Sequence, residues 1–247
     1  MSDGALEVHV LRSEAAIREQ HDAWRALAVR EGNPFLTPEW LEACTVHLGV
    51  RPFVVVVRSA DEVCGVVPLV VRSRGPLSTI GFPGDRLGDG FRPLARPPLD
   101  PETIGHCAGR AIARSRERIG EVELFNSDAS KPWPQRLADG LGSRWTILAR
   151  ADDIEDPVIE VAGRTWDEYL AESVSRRTRK ETRRRLRRLE EVGESHYARA
   201  TAETAGKDTD TLLRLHDLRW DELGGSDFFD PSDRATIRYF NEVAAAR

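Results

Sequence analysis

Residues 175–193 read Ser-Arg-Arg-Thr-Arg-Lys-Glu-Thr-Arg-Arg-Arg-Leu-Arg-Arg-Leu-Glu-Glu-Val-Gly, and no other stretch limits the fold so strongly. At about 100° per residue, Ala171, Val174, Thr178, Thr182, Leu186 and Leu189 fall on one narrow stripe, so the segment predicts an amphipathic helix closed by Gly193. Arg176, Lys180, Arg183, Arg184 and Arg187 gather on the opposite side. Pairs such as Arg179–Arg183 and Arg183–Arg187 repel at i,i+4, each by roughly 0.2–0.5 kcal/mol in an isolated helix. Glu172–Arg176, Arg177–Glu181 and Arg187–Glu191 recover part of that. A row this cationic calls for an anion: a phosphate-bearing ligand, or an acidic surface of the same molecule.

The remainder of the chain is acidic enough to make that requirement local. The formal net charge is −5, which argues against a general nucleic-acid binder. Only Lys131, Lys180 and Lys207 are lysines among the 36 basic residues. Arginine is therefore this chain's habitual cation, and each one is weaker evidence of bidentate recognition than usual. Cys44, Cys64 and Cys107 are far apart and odd in number, so neither a disulfide framework nor a thiolate metal site is expected. Residues 53–57 and 66–71 are the longest apolar runs, too short to span a bilayer, and the start shows no apolar leader. The expectation is a cytoplasmic protein with no membrane partner and no metal.

Elements follow from caps and periodicity. Residues 6–11 alternate as a strand, and Ser13 caps a helix with Ala16, Ile17, Trp24, Leu27 and Ala28 inward. Thr37-Pro38-Glu39-Trp40 starts a second helix. Residues 53–57, 63–71 and 77–82 are strands, and 83–99 form a long Pro/Gly loop. Asp100 caps a helix to about residue 119. A strand at 122–125, a short helix at 134–141 and strands at 145–149 and 158–161 follow. The arginine helix is predicted as one rod from 166 to 192, with a strand at 195–200 and helices at 203–223 and 231–246 behind it. That tail repeats the opening β-α-α and suggests an incomplete second copy of the unit. The fold class is α/β with a mixed sheet, divided as 1–163, 164–193 and 194–247.

Four stretches carry a resemblance: Asn33-Pro34-Phe35-Leu36-Thr37-Pro38-Glu39-Trp40, the Gly-x-x-Pro-Leu strand at 65–69, residues 175–193, and Leu215-His216-Asp217-Leu218-Arg219-Trp220. In this order they resemble the tandem GNAT acyltransferases of the CelD/BioF-like group, which is related to FemABX. The resemblance implies a GNAT-like first unit, an arginine-rich connecting helix, and a second unit of which residues 194–247 are the start. It implies transfer of an acetyl or other acyl group from acyl-CoA to an amine of a small molecule or sugar. The acceptor site would come from the first unit, and most of the acyl-CoA site would lie beyond residue 247, leaving the chain as given inactive.

Where such a unit binds CoA, a Q/R-x-x-G-x-G/A loop follows the fourth strand. Here Arg86-Leu87-Gly88-Asp89-Gly90 stands instead, one residue short and with Asp85 and Asp89 to repel phosphate. Asp85 and Asp89 are either binding residues or plain turn formers. Arg179 and Arg183 match the family's R-x-x-x-R and are candidate phosphate contacts; a solvated helix paired with Asp152, Asp153, Glu155 and Asp156 is the plainer reading. His216, Arg219 and Trp220 share one helix side. His216 is the candidate general base, with a structural histidine as the alternative. Competing functions are a FemABX-like transferase using aminoacyl-tRNA, and a non-catalytic binding module docking an acidic partner.

Overall fold

The computed structural model describes residues 5–74, 76–128, 130–146, 159, 163–222, 224–225 and 229–246. Packing groups residues 1–149 with 200–247 in one unit, and residues 150–199 in another. This grouping differs from the three-part division expected from sequence, because the last two helices belong with the N-terminal unit.

The first unit is built on a mixed sheet, as its element order predicts. Strands β1 (Glu7–Leu11), β2 (Arg51–Ser59), β3 (Glu62–Arg74) and β4 (Leu77–Gly81) are antiparallel neighbours in that order. The two-residue β5 (Leu94–Ala95) pairs with β3 at Gly65 and Val66, and β6 (Ile119–Glu123) runs parallel to β4. Gly120 is left over between the partners of Ser78 and Thr79, which kinks that parallel edge. The β2–β3 hairpin turns through Ala60 and Asp61, both at positive φ, the geometry whose twist matches that of paired strands. Consecutive residues of β2 and β3 are buried, Phe53 to Val57 and Val66 to Val67 among them, so both faces of the sheet are covered.

Helices α1 (Glu14–Glu31), α2 (Pro38–His47) and α3 (Pro101–Ala113) start at the predicted caps. The side chains of Ser13, Thr37 and Asp100 accept from the amides of Ala16, Trp40 and Thr103. Trp24, Leu27 and Ala28 of the expected α1 seam are buried. Helix α3 lies against α4 (Trp133–Leu141) at a contact made by glycines. A methyl group on Gly109 would collide with the Leu137 carbonyl, and one on Gly140 with that of His106. Only glycine lets these backbones approach so closely.

Helices α7 (Ala205–Asp221) and α8 (Pro231–Ala245) complete this unit. Asp217 and Arg234 form a two-bond ion pair that joins them, at 2.5 and 3.0 Å. On α8, Phe240 meets Trp40 edge-on at 5.2 Å, and Tyr239 donates a 2.7 Å hydrogen bond to Glu42 of α2.

Two expectations are corrected by the second unit and its exit. The arginine segment is not one rod: α5 (Trp166–Ser173) and α6 (Arg176–Val192) are separate helices. Val174 takes extended dihedrals, φ −112 and ψ 133, and Ser175 caps α6 by accepting from the Thr178 amide. A strong N-cap residue after a β-branched one restarts the helix instead of continuing it. The stripe consequently loses Ala171 and Val174. Residues 195–200 form no strand; every one is exposed and Tyr197 is 98% exposed. Alternation is not sufficient for a strand without a neighbour to pair with. The predicted strands at 145–149 and 158–161 lie largely outside the described residues, as does the end of the 203–223 helix at Leu223.

Candidate functional site

The loop after β4 is where the resemblance places a phosphate cradle, and its backbone is already engaged. The amides of Leu87 and Gly88 both donate to the Gly84 carbonyl, at 2.8 and 3.0 Å. Its carbonyls receive side-chain amides and an indole. Asn126 donates to Asp85 and Gly88, Asn33 to Asp89 and Gly90, and Trp40 to Pro83 at 2.8 Å. A cradle needs amides pointing at the ligand. Here the turn folds on itself and is stapled by two asparagines.

Charge tells the same story. Asp85 is 7% exposed and meets Arg72 of β3 at 2.7 Å. The same guanidinium reaches Glu123 of β6 at 3.1 Å. One cation thus ties together β3, the loop and β6, and Asp85 is consumed by it. Asp89 is exposed, and it is its carbonyl that is held. Arg72 carries no motif; its one sequence signal is that it is the first charge after the apolar run of β3.

Below the loop lies a buried group of acids and a thiol. Burial first, then the nearby charges of Asp85 and Asp233, push the Cys44 thiol far above its ordinary range. It is a neutral, inert packing group. Asp233, in the first turn of α8, is 6% exposed, and burial raises its carboxyl pKa; the hydrogen bond from the Asp230 amide pulls it part of the way back down, while the Asp230 charge raises it and Arg86 lowers it by less.

His216 sits on α7 beside Phe229 and Trp220, with ring centroids 5.0 and 6.0 Å away. Its Nδ1 lies 3.8 Å from Asp217, beyond hydrogen-bond length. Arg234 holds that carboxylate and lowers its pKa. The aspartate that would orient a catalytic histidine is therefore occupied elsewhere. Arg219 is 68% exposed, 3.7 Å from Glu222, and Trp220 is 42% exposed. These three predicted residues share a helix without converging on a cleft that the described residues define.

In the second unit, α6 buries none of its residues. Arg176, Arg179, Lys180, Arg183, Leu186 and Arg187 line an open groove of about 670 Å³. The two predicted arginines part ways there. Arg179 donates to the carbonyls of Leu170 and Ala171, at 3.0 and 2.6 Å, closing the C-terminal end of α5. Arg183 meets no carboxylate among the described residues. Glu181 takes Arg184 and Arg185, at 2.8 and 3.0 Å. Asp152, Asp153, Glu155 and Asp156, the suggested acidic partners, lie outside the described residues.

Among the described residues no group of three or more His, Cys, Asp or Glu could hold a metal, and no helix is long and apolar enough to cross a membrane. Comparison with known protein families, curated proteins and solved structures finds no match for this chain.

Proposed function

We propose that this chain is part of an acyltransferase of the tandem GNAT type, moving an acyl group from acyl-CoA to the amine of a small molecule or sugar. One observation carries the reading. Four strands joined as antiparallel neighbours are followed by a crossover through α3 into β6, which pairs parallel to β4 with a kink at Ser78 and Thr79. That order supports a GNAT-like unit. Chemistry at such a unit needs a pyrophosphate cradle, an amide aimed at the thioester oxygen, and a proton acceptor for the attacking amine. The closed loop at 83–90 supports assigning the acyl-CoA to a second unit and leaving the acceptor to the first. His216 remains the proposed general base, a role that would require its ring to face the acceptor.

Isothermal titration of the protein expressed from its whole reading frame, with acetyl-CoA, tests this. Saturable binding with thiol release in the presence of an amine panel is expected. No heat at millimolar acetyl-CoA would overturn it.

A second reading draws on α6, where Arg176, Lys180, Arg183 and Arg187 have no carboxylate partner among the described residues. It makes the protein a transferase using aminoacyl-tRNA. Such binding would weaken steeply with salt; a flat salt response of tRNA binding removes it.

A further inference from the structure

We propose that the pocket between α1, the start of α2 and α8 binds a small carboxylate with a compact apolar body, gripped by the Arg25 guanidinium. The inference does not depend on the acyltransferase reading. The pocket has a volume of about 240 Å³ and opens to solvent. Ala28, Val29, Pro34, Phe240 and Ala244 supply apolar walls, while Arg25 and Glu39 supply the only charges that the described residues bring to the lining.

The charged pair decides which ligand fits. Glu39 is 3% exposed and forms an ion pair with Arg25, its carboxylate 3.0 Å from Nε. The His21 ring also reaches Glu39, with Nε2 at 3.3 Å. Glu39 also lies in the first turn of α2, where the helix dipole favours negative charge. Its charge is thus answered by a guanidinium and by a helix N-terminus. Arg25 spends one nitrogen on this contact, and its two Nη nitrogens take no partner among the described residues. What remains is a planar two-donor fork, held in orientation by a buried acid, at the edge of an apolar hollow. That geometry matches a carboxylate, which accepts two parallel hydrogen bonds from such a fork. A ligand ammonium would have to displace Arg25 to reach Glu39. A purely apolar ligand would cover the free Nη groups and desolvate them without replacement. Convergent polar groups in an apolar concavity are the usual form of a small-molecule site.

The sequence stretch 33–40 supplies the floor of this pocket, although its Thr-Pro-Glu-Trp portion reads locally as no more than a helix start. The residue that turns it into a site comes from α1, and the closing wall comes from α8, 200 residues further along the chain, in round terms.

Titration of the whole chain with 3-phenylpropionate, 3-phenylpropionamide and 3-phenylpropylamine, followed by ligand-observed NMR, tests the proposal. The acid should bind about 10-fold more tightly than the amide, the worth of one charge-assisted fork, with the amine weakest. Arg25→Met should erase the preference for the acid, and Arg25→Lys should keep part of it. Ala244→Phe leaves the Arg25–Glu39 contact in place and fills the mouth, so it should abolish binding of all three with the circular-dichroism spectrum unchanged. The proposal is overturned if the amine binds best, if the acid fails to saturate up to about 10 mM, or if Ala244→Phe binds the acid as the wild type does.

Discussion

Arg72 and the arginines of α6 are the same side chain in opposite circumstances. Arg72 is 19% exposed and lies between two carboxylates belonging to different elements. On α6, Arg176, Arg183 and Arg187 stand on a helix with no buried residue and have no carboxylate partner among the described residues. The first is a structural cross-link whose attraction is strengthened by the low dielectric around it and must repay the cost of leaving water. The second is a reserve of charge that no described residue consumes. Density of arginine in the sequence points to the second place, and stability resides in the first.

The largest effect should come from breaking the cross-link. Arg72→Met leaves Asp85 buried without its cation, and the loss of a buried partner should cost about 3 kcal/mol, somewhat less than for a fully enclosed pair. Urea denaturation reads this directly. A loss below about 0.5 kcal/mol, typical of an exposed pair, would erase the contrast with α6. Removing both partners sharpens the test. Arg72→Met with Asp85→Leu should recover part of the deficit, because no charge then stays buried alone.

Asp233 offers an intermediate case, a buried carboxylate with no ion pair among the described residues. Its folded pKa is raised above 3.8, chiefly by burial. The folded protein therefore holds this proton to higher pH than the unfolded chain does. Stability falls as pH rises from about 3.8 through the folded value, and the penalty is complete above it. Asp233→Asn keeps an oxygen to accept from the Asp230 amide and removes the charge. It should melt higher than wild type at pH 7, with the gap closing near pH 3.5. An Asn variant melting lower at pH 7 would show instead that the carboxylate's hydrogen bond from the Asp230 amide, with Arg86, outweighs the burial cost.

How far these contrasts were legible in the sequence depended on distance along the chain. Ser13, Thr37 and Asp100 declare their helices because a cap bonds only three residues ahead. The apolar strands β2 and β3 declare themselves as well, since burial on both faces leaves a continuous apolar run. The break at Val174 and Ser175 was readable in principle, but helical periodicity ran across it and hid the cap. Residues 195–200 alternate like a strand and have no strand beside them, a fact about neighbours and not about the segment. The candidate sites fared worst for the same reason. Asp85 and Asp89 were visible as loop acids, while the cation that consumes Asp85 is on β3 and the asparagines closing the loop are at 33 and 126. Arg25 and Glu39 meet across two helices, and only the docking of α8 makes their meeting place a pocket.

The smallest effect should come from the arginines that the sequence displays most prominently. Arg183→Gln with Arg187→Gln removes one like-charge i,i+4 pair and its repulsion from Arg179, while glutamine keeps helix propensity near that of arginine. Neither side chain makes an ion pair with a described residue, so nothing buried is left uncompensated. The double variant should therefore unfold within about 0.5 kcal/mol of wild type, with any change in the stabilising direction. Added salt should narrow that difference further, since exposed charges are screened. A loss of 2 kcal/mol or more, on the order of a broken buried pair, would mean that α6 is neutralised from within the molecule. Its charge would then be structural like that of Arg72, and no longer available to a phosphate-bearing ligand.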